Sequence, residues 1–356
     1  MPKKTKVALL FGGRSAEHEV SLDSAASIYK NLNKETYDIT SVYINKQGHW
    51  RIVSSPLLSP AELQKGNFSS FLPWAEQGSS FPPLEADIYF PVLHGPYGED
   101  GTIQGLLEMA DVPYVGTAVL GSAVSMDKAV AKALFEIKKL PVVRHLVLSE
   151  ASWIQQPEKI LDRIRQNIPL PFFVKPANLG SSVGITKVKD FRRTEAALRT
   201  AFLYDGKVLA EEGIQGREIE CSVLGNAHPR VSLPGEIFPH REFYDYRDKY
   251  VEGKTSFGIP ADLPPDISQE VQRLAIEAFR AVDCAGMARV DFFLQENPEK
   301  IFLNEINTIP GFTEISMYPK LWEVSGLPYP RLLDELIGLG FERHLSKKRK
   351  GALFQP

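Results

Sequence analysis

Residues 288–307 read ARVDFFLQENPEKIFLNEIN. Two strand-like runs flank Asn297-Pro298, a turn pair, so the stretch reads as a β-hairpin. Side chains alternate between the two faces of a strand. Arg289, Asp291 and Phe293 therefore share one face, and Leu303, Glu305 and Asn307 share a face of the returning strand. A hairpin centred on Pro298 sets Asp291 opposite Glu305 and Arg289 opposite Asn307. Directly opposed residues hold their Cβ atoms about 4.5–5.5 Å apart. Two carboxylates that close repel each other unless a cation or a proton lies between them. Asp, Glu and Asn oxygens are hard ligands suited to Mg²⁺, which also keeps waters and takes phosphate oxygens. The plainer alternative is a solvated polar strand face.

Ahead of this hairpin the chain alternates strands with helices. It opens with KVALLF, Gly12-Gly13 and a helical SAEHEVSLDSAASIYKNL, then strands at ITSVYIN and ADIYFPVLHG. Such alternation predicts a parallel sheet whose ligands gather at the strand carboxyl ends. Residues 51–83, rich in Ser and Pro, read as a long surface insertion. Ser125 is expected to cap a helix that buries Val130, Ala133, Leu134, Ile137 and Leu140 before Pro141 stops it. Strands follow at VVRHLVL, LPFFVKP, ITKV, KVLAEE and EIECSVL, with FRRTEAALRTAF as a helix. Segment 239–260 mixes five aromatics with many charges and no clean period, and reads as either a lid or a disordered loop. The basic run at 347–350 reads as a solvated tail.

The whole chain has 356 residues, 43% hydrophobic and 24% charged, with net charge −3. That balance excludes a general nucleic-acid or anionic-membrane surface. Cys221 and Cys284 cannot build a disulfide framework or a zinc site, which fits a reducing cytosol. No run is long enough for a signal peptide or a membrane span. A cytoplasmic protein handling small molecules is expected.

Four more segments carry chemistry. Lys175 ends a strand before Gly180-Ser181-Ser182-Val183-Gly184, whose backbone N–H groups suit an anion, although a plain Gly/Ser turn fits as well. No Walker loop is present. Glu17 and Glu19 stand at a helix N-terminus, where they either complement its dipole or hold a ligand ammonium. His94 opens HGPYGEDG at a strand carboxyl end. Asn307-Thr308-Ile309-Pro310-Gly311 leads out of the hairpin, so the Gly311 N–H and Arg289 can face a developing oxyanion. Ser316 and the Met317 N–H can hold a carboxylate.

Taken together, GGRSAEHEVSL, HGPYGEDG, MDK at 126–128, VKPANLGSSVG, FYDYRDKY, ARVDFFL and NEINTIPGFTEISMYP resemble the D-alanine–D-alanine ligase family of the ATP-grasp superfamily, across nearly the whole chain. The resemblance implies an α/β ATP-grasp fold: a parallel-sheet N-terminal domain at 1–120, and two domains at 121–212 and 213–350 that clamp ATP. It implies ligation of two D-alanines through D-alanyl phosphate, for peptidoglycan precursor synthesis. Lys128, Lys175 and Lys249 would meet the ATP phosphates near Ser181 and Ser182. Glu211, Glu212, Gly213 and Ile214 would hold the adenine and Glu218 the ribose, with Asn304 beside them. Asp291, Glu305 and Asn307 would carry two Mg²⁺ ions, with Mn²⁺ able to substitute and a monovalent cation as a further candidate. Glu17 would bind the first D-alanine's ammonium, and His94 would lie close to that amino acid's carboxylate. Arg289 and Gly311 would form the oxyanion site, and Ser316 and Met317 would hold the second D-alanine. Tyr250 would link Ser181 and Glu17 over the closed site. A homodimer is the expected assembly. A different second substrate, D-lactate or D-serine, is the rival within the superfamily. A nicotinamide-dependent oxidoreductase is disfavoured because G-x-G-x-x-G is missing.

Overall fold

A computed structural model describes residues 3–66, 85–239, 255–296 and 299–351, and the elements below are those of the described residues. They form three sheets. The first is built from β1 (Thr5–Gly12), β2 (Tyr37–Ile44), β3 (Trp50–Val53) and β4 (Ile88–Val92), in the order β3-β2-β1-β4. β1 runs parallel to both β2 and β4, as the alternation predicts, and β3 adds antiparallel to β2. Val7 to Phe11 are fully buried because both faces of β1 are covered. β1 ends at Gly12 and β4 just before His94, so both glycine-rich turns stand at one sheet edge.

The second sheet holds β5 (His145–Ser149), β6 (Phe172–Pro176), β7 (Thr186–Val188) and β8 (Lys207–Glu212), in the order β5-β8-β6-β7, all antiparallel. Its core is its own, with Phe172, Val174, Leu198 and Val208 among the buried side chains. The third sheet holds β9 (Arg217–Gly225), β10 (Arg230–Val231), β11 (Gly235–Phe238), β12 (Ser256–Gly258), β13 (Gly286–Glu296) and β14 (Glu299–Asn307). Helix Pro265–Ala281 covers it through Val271, Leu274, Ala278 and Phe279. The helix Tyr329–Gly351 instead returns to the first sheet, where Leu332, Leu333, Leu336 and Ile337 pack with Val7, Leu9 and Phe11.

The expected hairpin is present, with one instructive departure. Arg289 pairs with Asn307 and Asp291 with Glu305, but the register shifts between Asp291 and Phe292, so that Phe292 faces Leu303. Asn304 is the extra residue of a β-bulge, which re-aims the side chains beyond it. Leu303 therefore does not share the Glu305 face; it is fully buried in the core beside Phe292.

Three further expectations are corrected. Asp127, not Ser125, caps the helix Lys128–Ile137, its carboxylate accepting from the N–H groups of Ala129 and Val130 at 3.1 Å. That helix buries Lys128, Ala129, Ala131, Lys132 and Phe135, and leaves Val130 and Ile137 exposed. Apolar periodicity misassigned the face because this helix points Lys132 at the buried Glu211 and Lys128 at Glu305. The 51–83 stretch is not wholly irregular, since β3 and the short helix Pro60–Leu63 lie within it; residues 67–84 are outside the described ones. The basic run is solvent-exposed over 347–349 as expected but is the end of a helix and not a free tail, with Lys347 and Lys348 pairing with Glu108 and Asp111. Among the described residues no helix is long and apolar enough to cross a membrane.

Candidate functional site

A cavity of about 550 Å³ opens between the second and third sheets. Lys128, Lys175, Ser181, Ser182, Glu211, Glu212, Ile214, Glu218, Asp291, Asn304 and Glu305 all line it. Gly213 stands behind the wall, its N–H donating to the Pro171 carbonyl at 2.9 Å. At the closed end, Lys175 Nζ donates to Glu211 Oε1 at 2.6 Å, and Lys132 Nζ lies 2.9 Å from Glu211 Oε2. Burial by itself would raise the Glu211 carboxyl, but the two lysines overturn this and pull it down to about 2. Ser181 and Ser182 take left-handed φ values of 49° and 58°. Such a conformation is strained in a non-glycine residue and persists where the surroundings impose it. Gly180, Ser181 and Ser182 line the cavity, and the Ser181 hydroxyl donates to Glu17 Oε1.

A second cavity, of about 700 Å³, lies between the first and third sheets. Glu17, His94, Arg289, Asn307, Gly311, Ser316 and Met317 line it. Arg289 donates from Nε and Nη2 to the two oxygens of Asp291, both at 2.7 Å, and its Nε lies 3.1 Å from Glu220. These carboxylates hold the guanidinium in place and keep it protonated. His94 is buried with both ring nitrogens engaged, Nδ1 to the Ile309 carbonyl at 2.9 Å and Nε2 to the Ser24 hydroxyl at 3.1 Å. Burial pushes its pKa down. Glu99 accepts the N–H groups of Gly95 at 2.8 Å and Ile309 at 3.1 Å. Burial first, then the charge of Glu17, pushes its carboxyl up to about 8.

The two cavities share Gly180, Ser181, Glu220 and Glu305 in their walls. Gly180 and Ser181 come from the turn between β6 and β7, and the rest of that wall from the third sheet, where β9 runs beside β13 and Glu220, Asp291 and Glu305 line up across three strands. Asn307 Nδ2 donates to Asp291 Oδ2 at 3.0 Å, and Lys128 lies 3.2 Å from Glu305. Among the described residues no three Asp, Glu, His or Cys side chains form a metal cage by themselves. Two carboxylates and one amide oxygen are what a Mg²⁺ ion shared with substrate phosphates requires. The oxygen-only chemistry of this set fits such an ion, and Asn304 Oδ1 is buried beside it without a hydrogen-bond partner.

The D-ala D-ala ligase N-terminus family matches residues 6–117, and the D-ala D-ala ligase C-terminus family matches residues 134–338. This chain belongs to the D-alanine–D-alanine ligase family. The family's D-alanine–D-alanine ligase from Solibacter usitatus is 50% identical over 345 residues, spanning 97% of this chain and 98% of the relative. The one from Thermoanaerobacter sp. (strain X514) is 49% identical, spanning 98% and 99%. Among solved structures, the D-alanine-D-alanine ligase from Coxiella burnetii superposes with a TM-score of 0.85 at 40% identity, covering 99% of this chain and 98% of that one. The VanG D-Ala:D-Ser ligase from Enterococcus faecalis gives 0.83 at 34%, covering 95% and 100%. The three-sheet arrangement is thus the ATP-grasp fold that the family resemblance implies.

Of the residues singled out in the sequence, those among the described ones converge on the two cavities, apart from Gly213. Lys249 and Tyr250 lie outside the described residues, as does most of 239–260. Sequence reasoning missed Lys132, Glu99, Glu220 and Ser24. Lys132 was recoverable, since it sits one helical turn from Lys128 and so shares its face. Glu220 was recoverable by the alternation argument applied to EIECSVL. Glu99 and Ser24 act through residues far away in sequence and gave no local signal.

Proposed function

We propose that this chain joins two D-alanine molecules into D-alanyl-D-alanine at the expense of ATP, by way of D-alanyl phosphate. It is an ATP-dependent ligase. The observation that carries this reading is the shared wall: the cavity lined by Lys128 and Lys175 and the one lined by Glu17 and Arg289 meet at Ser181, Glu220 and Glu305. A γ-phosphate in one then has a carboxylate within reach in the other.

A carboxylate accepts an amine at neutral pH only after its oxygen becomes a leaving group. In the proposed first step the first D-alanine's carboxylate oxygen attacks the γ-phosphorus, and ADP leaves. Lys175 and Lys128 offset charge on the phosphates, while Glu17 holds the ammonium. Mg²⁺, held by Asp291, Glu305 and Asn307, would supply charge neutralisation on the transferring phosphoryl group. In the second step the second D-alanine's amine attacks the acyl carbon, and the tetrahedral oxyanion faces Arg289 and the Gly311 N–H. Phosphate then leaves. Ser316 and the Met317 N–H, at the start of the helix Met317–Val324, suit the second carboxylate. Water must be kept from the acyl phosphate, which is the use we assign to the 239–260 segment with Lys249 and Tyr250.

In this reading residues 1–120 contribute the amino-acid site, and 121–212 with 213–350 close on ATP. Mn²⁺ substitutes for Mg²⁺, a monovalent cation is a further candidate, and the enzyme works as a cytoplasmic homodimer in peptidoglycan precursor synthesis. The direct test is ATP-dependent phosphate release with D-alanine, D-serine, D-lactate or L-alanine, with the product identified by mass. D-alanyl-D-alanine is the expected product. A preference for D-lactate or D-serine as second substrate would overturn the assignment.

A further inference from the structure

The Pro310–Gly311 turn is gripped from outside to an unusual degree. Ile309 donates its N–H to Glu99 at 3.1 Å, and its carbonyl accepts from His94 Nδ1 at 2.9 Å. Phe312 donates its N–H to the Ser24 hydroxyl at 3.1 Å, and its carbonyl accepts from the Tyr329 hydroxyl at 2.9 Å. The residues on either side of Pro310–Gly311 therefore have every backbone polar group tied to a side chain from another segment. Pro310 has no N–H to tie. Gly311 itself lines the second cavity, and a Cβ there would come within 2.7 Å of Ser316 Oγ.

Ser24 closes this grip into a ring. Its oxygen accepts from Phe312, so its hydrogen goes to His94 Nε2, 3.1 Å away. His94 Nδ1 must then be the protonated nitrogen, donating to Ile309. The path Ile309 carbonyl, His94 ring, Ser24 hydroxyl, Phe312 N–H spans the turn from end to end. Ser24 is fully buried on the helix His18–Asn31, with Ser21 and Ser27 on the same face at three-residue spacing. Ser21 fixes the Gly12 N–H, and Ser27 meets the Tyr329 hydroxyl at 3.2 Å. One helix face thus holds the end of β1, the His94 turn and the Gly311 turn in a common frame.

We propose that Ser24 and Tyr329 are positioning residues that hold the Gly311 N–H where the tetrahedral oxyanion forms, Ser24 through His94 and Phe312 and Tyr329 through the Phe312 carbonyl. Neither needs to touch substrate. The inference rests on the reading of Gly311 as an oxyanion donor. A displaced donor weakens the attack of the second amine on D-alanyl phosphate more than it weakens the formation of that intermediate. The waiting acyl phosphate then reacts with water, giving back D-alanine and phosphate, and ATP is consumed without dipeptide.

The test compares the full-length chain with its Ser24→Ala and Tyr329→Phe variants, measuring phosphate and D-alanyl-D-alanine in the same reaction. A displacement of about 1 Å at a reacting centre is enough for roughly 10²-fold. We expect dipeptide turnover to fall about 10- to 100-fold in Ser24→Ala and less in Tyr329→Phe. KM for ATP should hold, and phosphate released per dipeptide should rise above one. A merely structural role would lower both products together and leave that ratio at one. Unchanged turnover, or a ratio of one in both variants, overturns the proposal. Tyr329→Phe removes a single oxygen and decides the matter if Ser24→Ala does not fold. A wild type that makes no dipeptide from D-alanine and ATP would instead overturn the function itself.

Discussion

Two carboxyl groups, Glu211 and Glu99, are buried at the ends of adjoining cavities, and they are driven in opposite directions. Glu211 meets two lysine ammonium groups and is pulled down to about 2. Glu99 meets only backbone N–H groups, faces the negative Glu17 and is pushed up to about 8. Burial is alike in both. What differs is that two ammonium groups pair with Glu211, whereas the charge of Arg289 and two N–H dipoles do not offset burial and Glu17 at Glu99. In the proposed reaction, the cavity that would take the polyphosphate holds lysine cations on a carboxylate, and the cavity that would take the amino acids holds a carboxyl raised by burial.

The largest expected effect is on stability against pH. A carboxyl raised in the fold stabilises it below its unfolded pKa, and that contribution is lost as pH rises through the folded one. Glu99 therefore withdraws stability as pH rises from about 4.5 to somewhat above 8. Glu211 has the opposite sign: its contribution is present above about pH 4.5 and is lost as pH falls towards 2. Thermal melts across this range should show Glu99→Gln flattening the alkaline limb and leaving the acid limb alone. An unchanged alkaline limb would erase the contrast. Next, Lys132→Met should cost about 3 kcal/mol in urea unfolding at neutral pH, as expected for one partner lost from a buried ion pair. A loss below about 1 kcal/mol would mean that Lys175 alone suffices for Glu211. On the neutral side, Arg289→Met should lower kcat by at least about 10²-fold with the circular dichroism spectrum retained. Near-normal turnover would remove Arg289 from the oxyanion site.

The sequence was most legible where function rests on one local period. Alternation paired Asp291 with Glu305 and Arg289 with Asn307 across the hairpin. The same rule misplaced Leu303, because a single bulged residue, Asn304, inverts alternation on its far side. Helical periodicity failed over 128–137 for a related reason. It reads apolar residues as the buried face, whereas this helix buries Lys128 and Lys132 and exposes Val130 and Ile137. Glu99 and Ser24 were illegible because their roles exist only once Ile309 and Phe312, more than two hundred positions away, fold against them.

The helix Tyr329–Gly351 bears on the order of assembly during synthesis. A chain is released from the ribosome from its N-terminus onward, and domains generally fold as units as they emerge. The second sheet carries its own core and can close as soon as residue 212 is free. The first sheet, though made earliest, lacks Leu332, Leu333, Leu336 and Ile337 until far later. The first sheet must therefore wait with an open apolar face while the middle matures, and the cavity between the first and third sheets is completed after the one between the second and third.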